Sequence, residues 1–175
     1  MREHSSRLWY NTETTVKLIT VHLTFGTYGT RLHGGSAPTV MRSQNQVGEP
    51  FVDGDPDLYE ASRERMRESP CYFDKKQRLF VETEVPLLCE RGGWTYHLAC
   101  CQPDHVHVLL SVAPDPKTVR KWLKTWLSRS LNKQFQRRTW FAEGGSGKWI
   151  FDDARYQNVY QYILKQRAHE EVVLQ

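Results

Sequence analysis

The alternation of apolar and polar residues along the chain predicts four β-strands. The segment 16–25, VKLITVHLTF, is rich in β-branched and aromatic residues and runs into the glycine-punctuated GTYGTRLHGG, which predicts a strand followed by a loop. The segments 94–101, WTYHLACC, and 105–112, HVHVLLSV, are separated by a short Pro-Asp connection and predict an antiparallel hairpin. A short strand, WIF at 149–151, is expected after the glycine-rich turn EGGSGKW.

Helical spacing of apolar residues predicts helices between and after these strands. Residues 57–68 fit a short charged helix, and residues 74–90 fit a longer one in which Pro86 predicts a kink or a break. The apolar stripe expected on this longer helix consists of Phe80, Val81, Val85, Leu87 and Leu88. A last helix is predicted to open at Asp152 and Asp153 and to run through Gln166.

The strongest helical pattern follows Asp115 and Pro116, which are an N-cap residue and a proline at the first helical position. Seven apolar residues recur there at helical spacing, namely Val119, Trp122, Leu123, Trp126, Leu127, Leu131 and Phe135. The rest of the surface is basic, with no acidic residue interspersed, and carries Lys117, Arg120, Lys121, Lys124, Arg129, Lys133, Arg137 and Arg138. This pattern predicts an amphipathic helix with a basic outer face.

The order strand, helix, strand, strand, helix, strand, helix predicts an α+β fold. It favours a ferredoxin-like antiparallel sheet with helices packed on one face. A chain of 175 residues is expected to form one domain over residues 1–175. A polar stretch at about 34–75, in which Gly, Pro, Ser, Asn and Asp recur, is interpreted as an insertion in that domain.

Composition narrows the class of protein only slightly. A net charge of +4, a pI near 8.9, six Trp and eight Tyr favour a polyanionic partner but do not decide it. The four cysteines form no C-x-x-C pair, and Cys100 and Cys101 should point to opposite faces of a strand, so reduced thiols are expected. No apolar run reaches the roughly 18 residues needed to span a bilayer, and the first residues lack a signal-peptide core. We therefore expect a soluble cytoplasmic protein without membrane contact.

Two histidines stand one residue apart inside an apolar run. Because side chains alternate across a strand, His105 and His107 share one face, while Val106 and Val108 share the other and can enter the core. Two neutral imidazoles side by side can hold a divalent ion and leave positions open for a third ligand, water and substrate oxygens. The alternative is a pair of ordinary half-exposed strand histidines.

The last helix carries a second candidate group. Tyr162 and Gln166 are four residues apart and therefore share one helical face, where they offer a phenol and an amide oxygen. A phenol titrates near pH 10 and attacks phosphorus poorly until a base or a cation stabilises the phenolate. Tyr156 and Tyr160 compete for the role of nucleophile, and any of the three tyrosines could instead be a packing residue.

These residues resemble one family. His105-Val106-His107 after Pro103-Asp104, followed by Tyr162-x-x-x-Gln166, resembles the motif pair of the single-tyrosine HUH transposases of small insertion sequences, which include the REP-associated tyrosine transposases. The segments HLTFGTYGTRLHGG and GGSGKWIFDD are also similar to this family, so the resemblance covers about residues 16–166. Two departures are the long polar insertion and Gly35, which stands where the related subgroup has an acidic residue.

The resemblance implies a metal-dependent single-stranded DNA endonuclease and strand transferase that forms a covalent 5′-phosphotyrosine intermediate. It implies that Tyr162 is the nucleophile and that Mg²⁺ or Mn²⁺ is held by His105, His107 and Gln166. The partner would be single-stranded DNA that forms hairpins, and both monomers and homodimers occur among such proteins. The basic helix would then contact the DNA backbone through Lys117, Arg120, Lys121, Lys124, Arg129 and Lys133.

Three other interpretations of the same residues stay open. A replication initiator or relaxase of the same chemical class would use Tyr156 and Tyr160 as a pair. A non-catalytic or domesticated nucleic-acid-binding module would use the basic helix and the aromatic residues, while the histidines only pack. A zinc hydrolase would need a third ligand and a general-base carboxylate, for which Asp104 is the one candidate beside the histidines.

Overall fold

A computed structural model describes residues 17–32, 34 and 55–172 of the chain. Residues 35–54 of the predicted insertion at 34–75, Gly35 among them, lie outside the described residues, as does the first residue of the strand predicted at 16–25. Four strands and four helices follow one another as β1 (Ile19–Gly26), α1 (Pro56–Glu64), α2 (Lys75–Gly92), β2 (Thr95–Cys101), β3 (His105–Val112), α3 (Pro116–Gln134), β4 (Ser146–Ile150) and α4 (Asp153–Val172).

The strands form one sheet in the order β2-β3-β1-β4, and every neighbouring pair is antiparallel. This is the ferredoxin-like order, in which the first and third strands lie at the centre. The predicted α+β fold and the predicted hairpin of β2 and β3 are confirmed. The register of the central pair sets Thr24 opposite His107 and Gly26 opposite His105. The predicted histidine pair therefore lies at the centre of the sheet.

One face of the sheet carries the main hydrophobic core. Alternate residues of the two central strands point into it, including Leu23, Phe25, Val106 and Val108, all of them almost fully buried. The long helices α2 and α3 cover this face. The side chains with which they do so are Val81, Val85, Leu88 and Cys89 of α2 and Val119, Leu123, Leu127 and Leu131 of α3.

The opposite face is covered in part by α4. Ile163 of that helix is fully buried against Leu98, Cys100, Leu109 and Ile150. The prediction that helices pack on one face therefore holds for α2 and α3 but does not describe α4. The two adjacent cysteines do point to opposite faces, as predicted, because Cys101 belongs to the main core and Cys100 to the smaller cluster under α4.

Helix α2 is continuous from Lys75 to Gly92, so of the two alternatives predicted at Pro86, a kink or a break, the break is wrong. Proline removes one backbone donor, and the four buried side chains of α2 hold the helix against the core on both sides of that position. Leu87 is 59% exposed and does not belong to the apolar stripe that was predicted to contain it. The helix begins with a capping box between Asp74 and Gln77 and ends at Gly93, whose φ of 67° favours glycine.

Other boundaries differ from the predictions by a few residues. Helix α1 ends at Glu64, and β4 begins at Ser146, within the segment that was predicted to be a turn. Gly147 permits this early start, because a side chain there would meet Pro116 at 2.6 Å. Helix α3 begins as predicted, with Asp115 accepting hydrogen bonds from the backbone of Lys117 and Thr118. In the described part of the chain, no helix combines the length and the apolar character needed to cross a bilayer.

Candidate active site

The two histidines of β3 converge on each other through their Nε2 atoms. His105 and His107 both point away from the main core, and their Nε2 atoms are 3.0 Å apart. Their rings are perpendicular, with centroids separated by 4.7 Å. His107 is only 4% exposed, whereas the side chain of His105 is 16% exposed. The pair therefore presents two nitrogen atoms at one point on the partly open face of the sheet.

A carboxylate orients the outer histidine. Asp104 Oδ1 lies 2.5 Å from His105 Nδ1, and Asp104 Oδ2 accepts a hydrogen bond of 3.1 Å from Arg31. Burial opposes ionisation of Asp104, but the hydrogen bond from His105 and the charge of Arg31 together lower the pKa of this carboxyl group. A carboxylate on Nδ1 fixes the ring and leaves Nε2 directed at the second histidine, as in carboxylate–histidine–metal arrangements.

Two residues of β1 hold the inner histidine. His107 Nδ1 lies 3.0 Å from Thr24 Oγ1 and 3.1 Å from His22 Nε2. Burial and the neighbouring His105 and His22 lower the pKa of His107 to about 3, and burial and Lys148 lower the pKa of His22 to about 4. Both imidazoles are therefore neutral near pH 7, and the neutral form is the one that binds metal ions.

Sequence reasoning did not single out His22 and Thr24 as site residues. The signal was present, since His22 and Thr24 alternate on β1 in the same way as the two histidines do on β3. The antiparallel register that sets Thr24 opposite His107 brings the two pairs together on one face. A strand pairing and its register were needed to recognise that relation.

The predicted nucleophile lies beside the histidines of its own chain. The ring of Tyr162 packs edge-on against His107 with the centroids 5.4 Å apart, and its centroid is 6.5 Å from that of His22. Tyr162 is 45% exposed, so its side chain is accessible from solvent. An exposed aromatic residue over a buried polar site is not a packing residue of the core.

Gln166 follows Tyr162 by one helical turn and is half-buried. Its backbone carbonyl accepts a hydrogen bond of 2.9 Å from Gln102 Nε2, which comes from the connection between β2 and β3. In the next position, Arg167 forms an ion pair of 3.0 Å with Glu82 of α2. These two contacts attach this part of α4 to the connection between β2 and β3 and to α2. Hydrogen bonding at Gln166 in the described chain uses its backbone and leaves the carboxamide available.

The competing tyrosines have different neighbours. The rings of Tyr156 and Tyr160 stack on each other at 6.0 Å, and Tyr156 packs edge-on against His97 at 5.5 Å. Both pack against the apolar cluster beneath α4. Burial raises the pKa of Tyr156, which disfavours its phenolate. Of the three candidate tyrosines, Tyr162 is the one with ring contacts to His107.

The six cations predicted to contact DNA are not equivalent. Lys124 donates hydrogen bonds to the carbonyls of Glu143 at 2.7 Å and Gly144 at 3.1 Å, and burial together with Arg120 lowers the pKa of this lysine to about 8. Arg120 is half-buried beside Gly145, and burial lowers its pKa. The four remaining cations are exposed and consist of Lys117, Lys121, Arg129 and Lys133. Lys124 is therefore the least available of the six to a ligand.

The side chains around the histidine pair can be compared with the ligands that a divalent cation needs. Within the described ranges, no group of three or more His, Cys, Asp and Glu side chains is arranged to hold a metal ion. The predicted set of two imidazoles and one amide oxygen is a different set of donors. The convergent Nε2 atoms and the partners on each Nδ1 are the features that a two-histidine site needs.

Comparison with known proteins assigns the family. The model of the IS200-like transposases matches residues 66–166, which is more than half of the chain. The chain belongs to the IS200-like transposase family. This DNA transposase carries the histidine pair, Tyr162, Gln166 and α3 inside the matched region, whereas His22 and Thr24 lie before it. The resemblance noted in the sequence is confirmed.

Two solved structures are similar to this IS200-like transposase. One is a protein from Deinococcus radiodurans R1 that is assigned as a transposase, with 13% identity, coverage of 95% of this chain and 98% of the other, and a TM-score of 0.43. The second is a REP-associated tyrosine transposase bound to a REP hairpin, with 12% identity, coverage of 92% and 70%, and a TM-score of 0.41. No curated protein matches the chain. The family assignment therefore depends on the family model.

Proposed function

We propose that this IS200-like transposase cuts and rejoins single-stranded DNA through a covalent 5′-phosphotyrosine at Tyr162. The observation that carries the proposal is the contact between the Tyr162 ring and His107 within one chain, 5.4 Å between centroids. The phenol ring is thus beside His107, one of the two convergent imidazoles, while it remains 45% exposed to an incoming strand. A nucleophile next to groups that bind a phosphate-bound cation is the arrangement that phosphoryl transfer requires.

In the proposed reaction, Tyr162 Oη attacks the phosphorus of one phosphodiester. The bond between Oη and phosphorus forms, and the bond between phosphorus and the 3′ oxygen breaks. The phenol proton is lost to the surrounding solvent, and the departing 3′ oxygen takes up a proton and becomes a free hydroxyl. In the reverse direction, a 3′-hydroxyl attacks the phosphotyrosine and releases Tyr162. The number of phosphodiester bonds is conserved, so no external energy source is needed.

The proposed metal ligands are His105, His107 and Gln166, and the proposed ion is Mg²⁺ or Mn²⁺. Such an ion, when bound, neutralises charge on the scissile phosphate and lowers the barrier to attack by a phenol. Asp104 holds the His105 ring through Nδ1, and Thr24 and His22 hold the His107 ring through its own Nδ1. These contacts keep both Nε2 atoms directed at one point before a ligand arrives, which reduces the ordering cost of binding.

The proposed substrate is single-stranded DNA with a hairpin, held in part by the exposed cations of α3. Phosphate contacts from Lys117, Lys121, Arg129 and Lys133 would supply affinity that does not depend on sequence. Arg120 and Lys124 are proposed as weaker contacts, because both are half-buried. The ammonium group of Lys124 also donates hydrogen bonds to the carbonyls of residues 142–144. The position of Tyr162 over His107 of its own chain supports a site built by one subunit.

Replacement of the phenol hydroxyl tests the proposal. Wild type and Tyr162→Phe are incubated with a pool of labelled hairpin oligonucleotides and Mn²⁺, and protein-linked DNA is counted on denaturing gels. We expect an adduct with the wild type that EDTA prevents, and none with Tyr162→Phe, while circular dichroism shows the same fold for both. A metal-dependent adduct that persists in Tyr162→Phe would contradict the proposal.

Tyr156→Phe and Tyr160→Phe are the matched controls on the same helix. Because these rings contact each other and His97, both variants should keep the adduct. Loss of the adduct in either of them, with Tyr162→Phe active, would move the nucleophile to the initiator-like pair. If the wild type binds the oligonucleotides but never forms an adduct, a non-catalytic DNA-binding module is the better interpretation.

A further inference from the structure

Three tryptophans form a parallel cluster between α2 and α3. The indole of Trp94 lies 5.4 Å from that of Trp126 and 6.3 Å from that of Trp122, and the two α3 rings are 6.4 Å apart. The angles between the ring planes are 3° to 19°, so all three rings are close to parallel. Exposure rises across the cluster, from 6% for Trp94 to 42% for Trp122. We call this cluster the tryptophan platform.

The backbone at the end of α2 holds the inner ring of the platform. The Trp94 indole lies so close to Gly92 that a Cβ at this glycine would meet the ring at 2.6 Å. Gly93, in the left-handed conformation, ends the helix and directs the chain into β2. Trp94 is thereby fixed against the last turn of α2, and its position does not depend on a partner.

One cation contacts the platform, and two more follow it along α3. The guanidinium of Arg91 lies over the Trp126 ring, 5.0 Å from its centroid. Along α3, positions 122, 126, 129 and 133 are separated by four, three and four residues, so Arg129 and Lys133 continue the side of the helix that carries Trp122 and Trp126. Both of these cations are exposed, and α3 contains no acidic residue. The platform and its cations therefore form one aromatic and basic surface.

This surface is separate from the candidate active site. The platform packs against the main core, which lies on the face of the sheet that α2 and α3 cover. The histidine pair and Tyr162 belong to the opposite face. Lys124, which turns towards the carbonyls of residues 142–144, lies on another side of α3 and is not part of the platform. The platform contains neither the proposed nucleophile nor a proposed metal ligand.

We propose that the tryptophan platform binds unpaired nucleotides of a single strand, with a base stacked on Trp122 and phosphates at Arg91, Arg129 and Lys133. Parallel aromatic rings with an accessible outer member accept a planar base, and neighbouring cations accept the phosphates on either side of it. That the strand is DNA rests on the proposed function, whereas stacking on the platform does not depend on the chemistry of Tyr162.

The charge of the surface selects this occupant over a second protein surface. A partner that only covers the exposed indole would add no counter-charge to Arg129 and Lys133, which lie on a helix without acidic residues; Glu84 of α2, the carboxylate beside this stretch of α3, already accepts a hydrogen bond from Ser130. Each nucleotide of a single strand carries a planar base with a π-face and a neighbouring phosphate. Charge complementarity and ring geometry therefore point to the same class of ligand.

Binding measured without cutting tests this proposal. The Tyr162→Phe protein is titrated with a short oligothymidylate that forms no hairpin, and the dissociation constant is obtained by fluorescence anisotropy. Adding Trp122→Ala to this protein should weaken binding by about tenfold or more, because one base loses its stacking surface. Trp122→Phe should recover part of the affinity, and Tyr72→Ala, which removes a 62% exposed ring elsewhere, should leave the affinity unchanged.

A second variant keeps the test informative if Trp122→Ala does not fold. Arg129→Gln changes only an exposed side chain. The slope of the logarithm of the binding constant against the logarithm of the salt concentration should become smaller by about the amount of one phosphate contact. Arg63→Gln, the same change on α1, is its control. Equal affinities and salt slopes for Arg129→Gln and its parent would overturn the proposal.

The remaining outcomes also decide the question. Unchanged oligothymidylate affinity in a folded Trp122→Ala protein would overturn the proposal. If that substitution instead abolishes self-association in sedimentation experiments while DNA affinity stays constant, the platform is an interface between copies of the chain and the proposal is wrong. Weaker oligothymidylate binding in Trp122→Ala would support the platform whether or not the wild type forms an adduct. If the wild type forms no adduct, the result contradicts only the proposed role of Tyr162.

Discussion

The two faces of the sheet are made by the same two central strands, yet they have different roles. On β1, Leu23 points into the main core while its neighbours His22 and Thr24 point to the other side. On β3, Val106 and Val108 flank His107 in the same way. Successive residues of one strand therefore belong in turn to the main core and to the candidate site, and the packed apolar face holds the polar one in place.

The difference between the faces shows how buried histidines are tolerated. Burial of an unpaired polar group costs free energy, but each ring nitrogen of His107 has a neighbour that can share a hydrogen bond. The apolar part of the same face lies under α4 around Ile163, and the histidine part stays partly open beside Tyr162. The polar face is thus divided into a region that attaches the helix and a region that can receive a ligand.

A change at His107 should give the largest difference between the effect on adduct formation and the effect on stability. His107→Gln should reduce adduct formation by at least about a thousandfold, because a proposed metal ligand is lost. The free energy of unfolding should change by no more than about 1 kcal/mol, since the amide keeps a hydrogen-bonding group near Thr24 and His22. Single-turnover adduct assays and urea denaturation of the same samples measure the two quantities. Near-normal adduct formation would remove His107 from the mechanism.

The reciprocal change on the apolar face should act on stability. Leu110→Ala removes a fully buried side chain from the main core and should lower the free energy of unfolding by about 2–5 kcal/mol. Adduct formation per folded molecule should be largely retained, because Leu110 points away from the histidines. Denaturant titrations and adduct assays normalised to folded protein measure this. If activity per folded molecule fell as steeply as it does in His107→Gln, the two faces would not be separable.

A smaller effect is expected from the carboxylate that orients His105. Asp104→Asn keeps the shape of the side chain but loses its charge at His105 Nδ1, and the affinity for Mn²⁺ should fall by about 10- to 100-fold. Arg31→Gln, which removes the partner on the other oxygen of the same carboxylate, should have a weaker effect. Isothermal titration with Mn²⁺ compares the two variants. Equal affinity in Asp104→Asn and wild type would show that the carboxylate does not support a ligand.

The smallest of these effects concerns acid stability in protein freed of metal by EDTA. His107 and His22 have pKa values of about 3 and about 4 in the folded state, below the ordinary 6.5, so the unfolded chain binds protons more readily. Stability is fully present above about pH 6.5 and falls as the pH is lowered towards the folded values. After allowance for partial exposure, we expect a loss of about 1–2 kcal/mol between pH 7 and pH 5.

Replacement of both histidines provides the control for this pH effect. In His22→Gln/His107→Gln, the slope of the unfolding free energy between pH 7 and pH 5 should become flatter. In Leu110→Ala, the slope should match the wild type, because no titrating group is changed. An unaltered slope in the double variant would assign the acid sensitivity to other residues.

Local patterns were sufficient to predict most of the fold. The period of two on β3 and the helical period on α3 each identify an element and its buried side, and the face shared by His105 and His107 follows directly. The continuity of α2 through Pro86 could not be predicted, because it depends on packing from the other side of the core. The exposure of Leu87 has the same origin, since the face of α2 that is buried is set by where the helix docks.

Contacts between residues of different strands were the part of the site that could not be predicted from the sequence. His22 and Thr24 contact His107 only because of the register between β1 and β3, and no spacing along the chain contains that register. The choice among Tyr156, Tyr160 and Tyr162 likewise depends on the position at which α4 crosses the sheet. The number of candidate residues could be narrowed from the sequence, but their contacts required the tertiary arrangement.

The way in which α4 is attached has a consequence for access to the phenol. Among the side chains of α4 described through Arg167, Ile163 is the one that is fully buried, and polar contacts from Gln102 and Glu82 hold the helix at Gln166 and Arg167. Separation of this helix from the sheet would expose the apolar cluster of Leu98, Cys100, Leu109, Ile150 and Ile163, which is smaller than the main core, so it should cost less free energy than unfolding of that core. The proposed nucleophile Tyr162 therefore lies on a helix that is held by this cluster and by two polar contacts, not by the main core, so a local displacement of α4 would change access to the phenol before the main core opens.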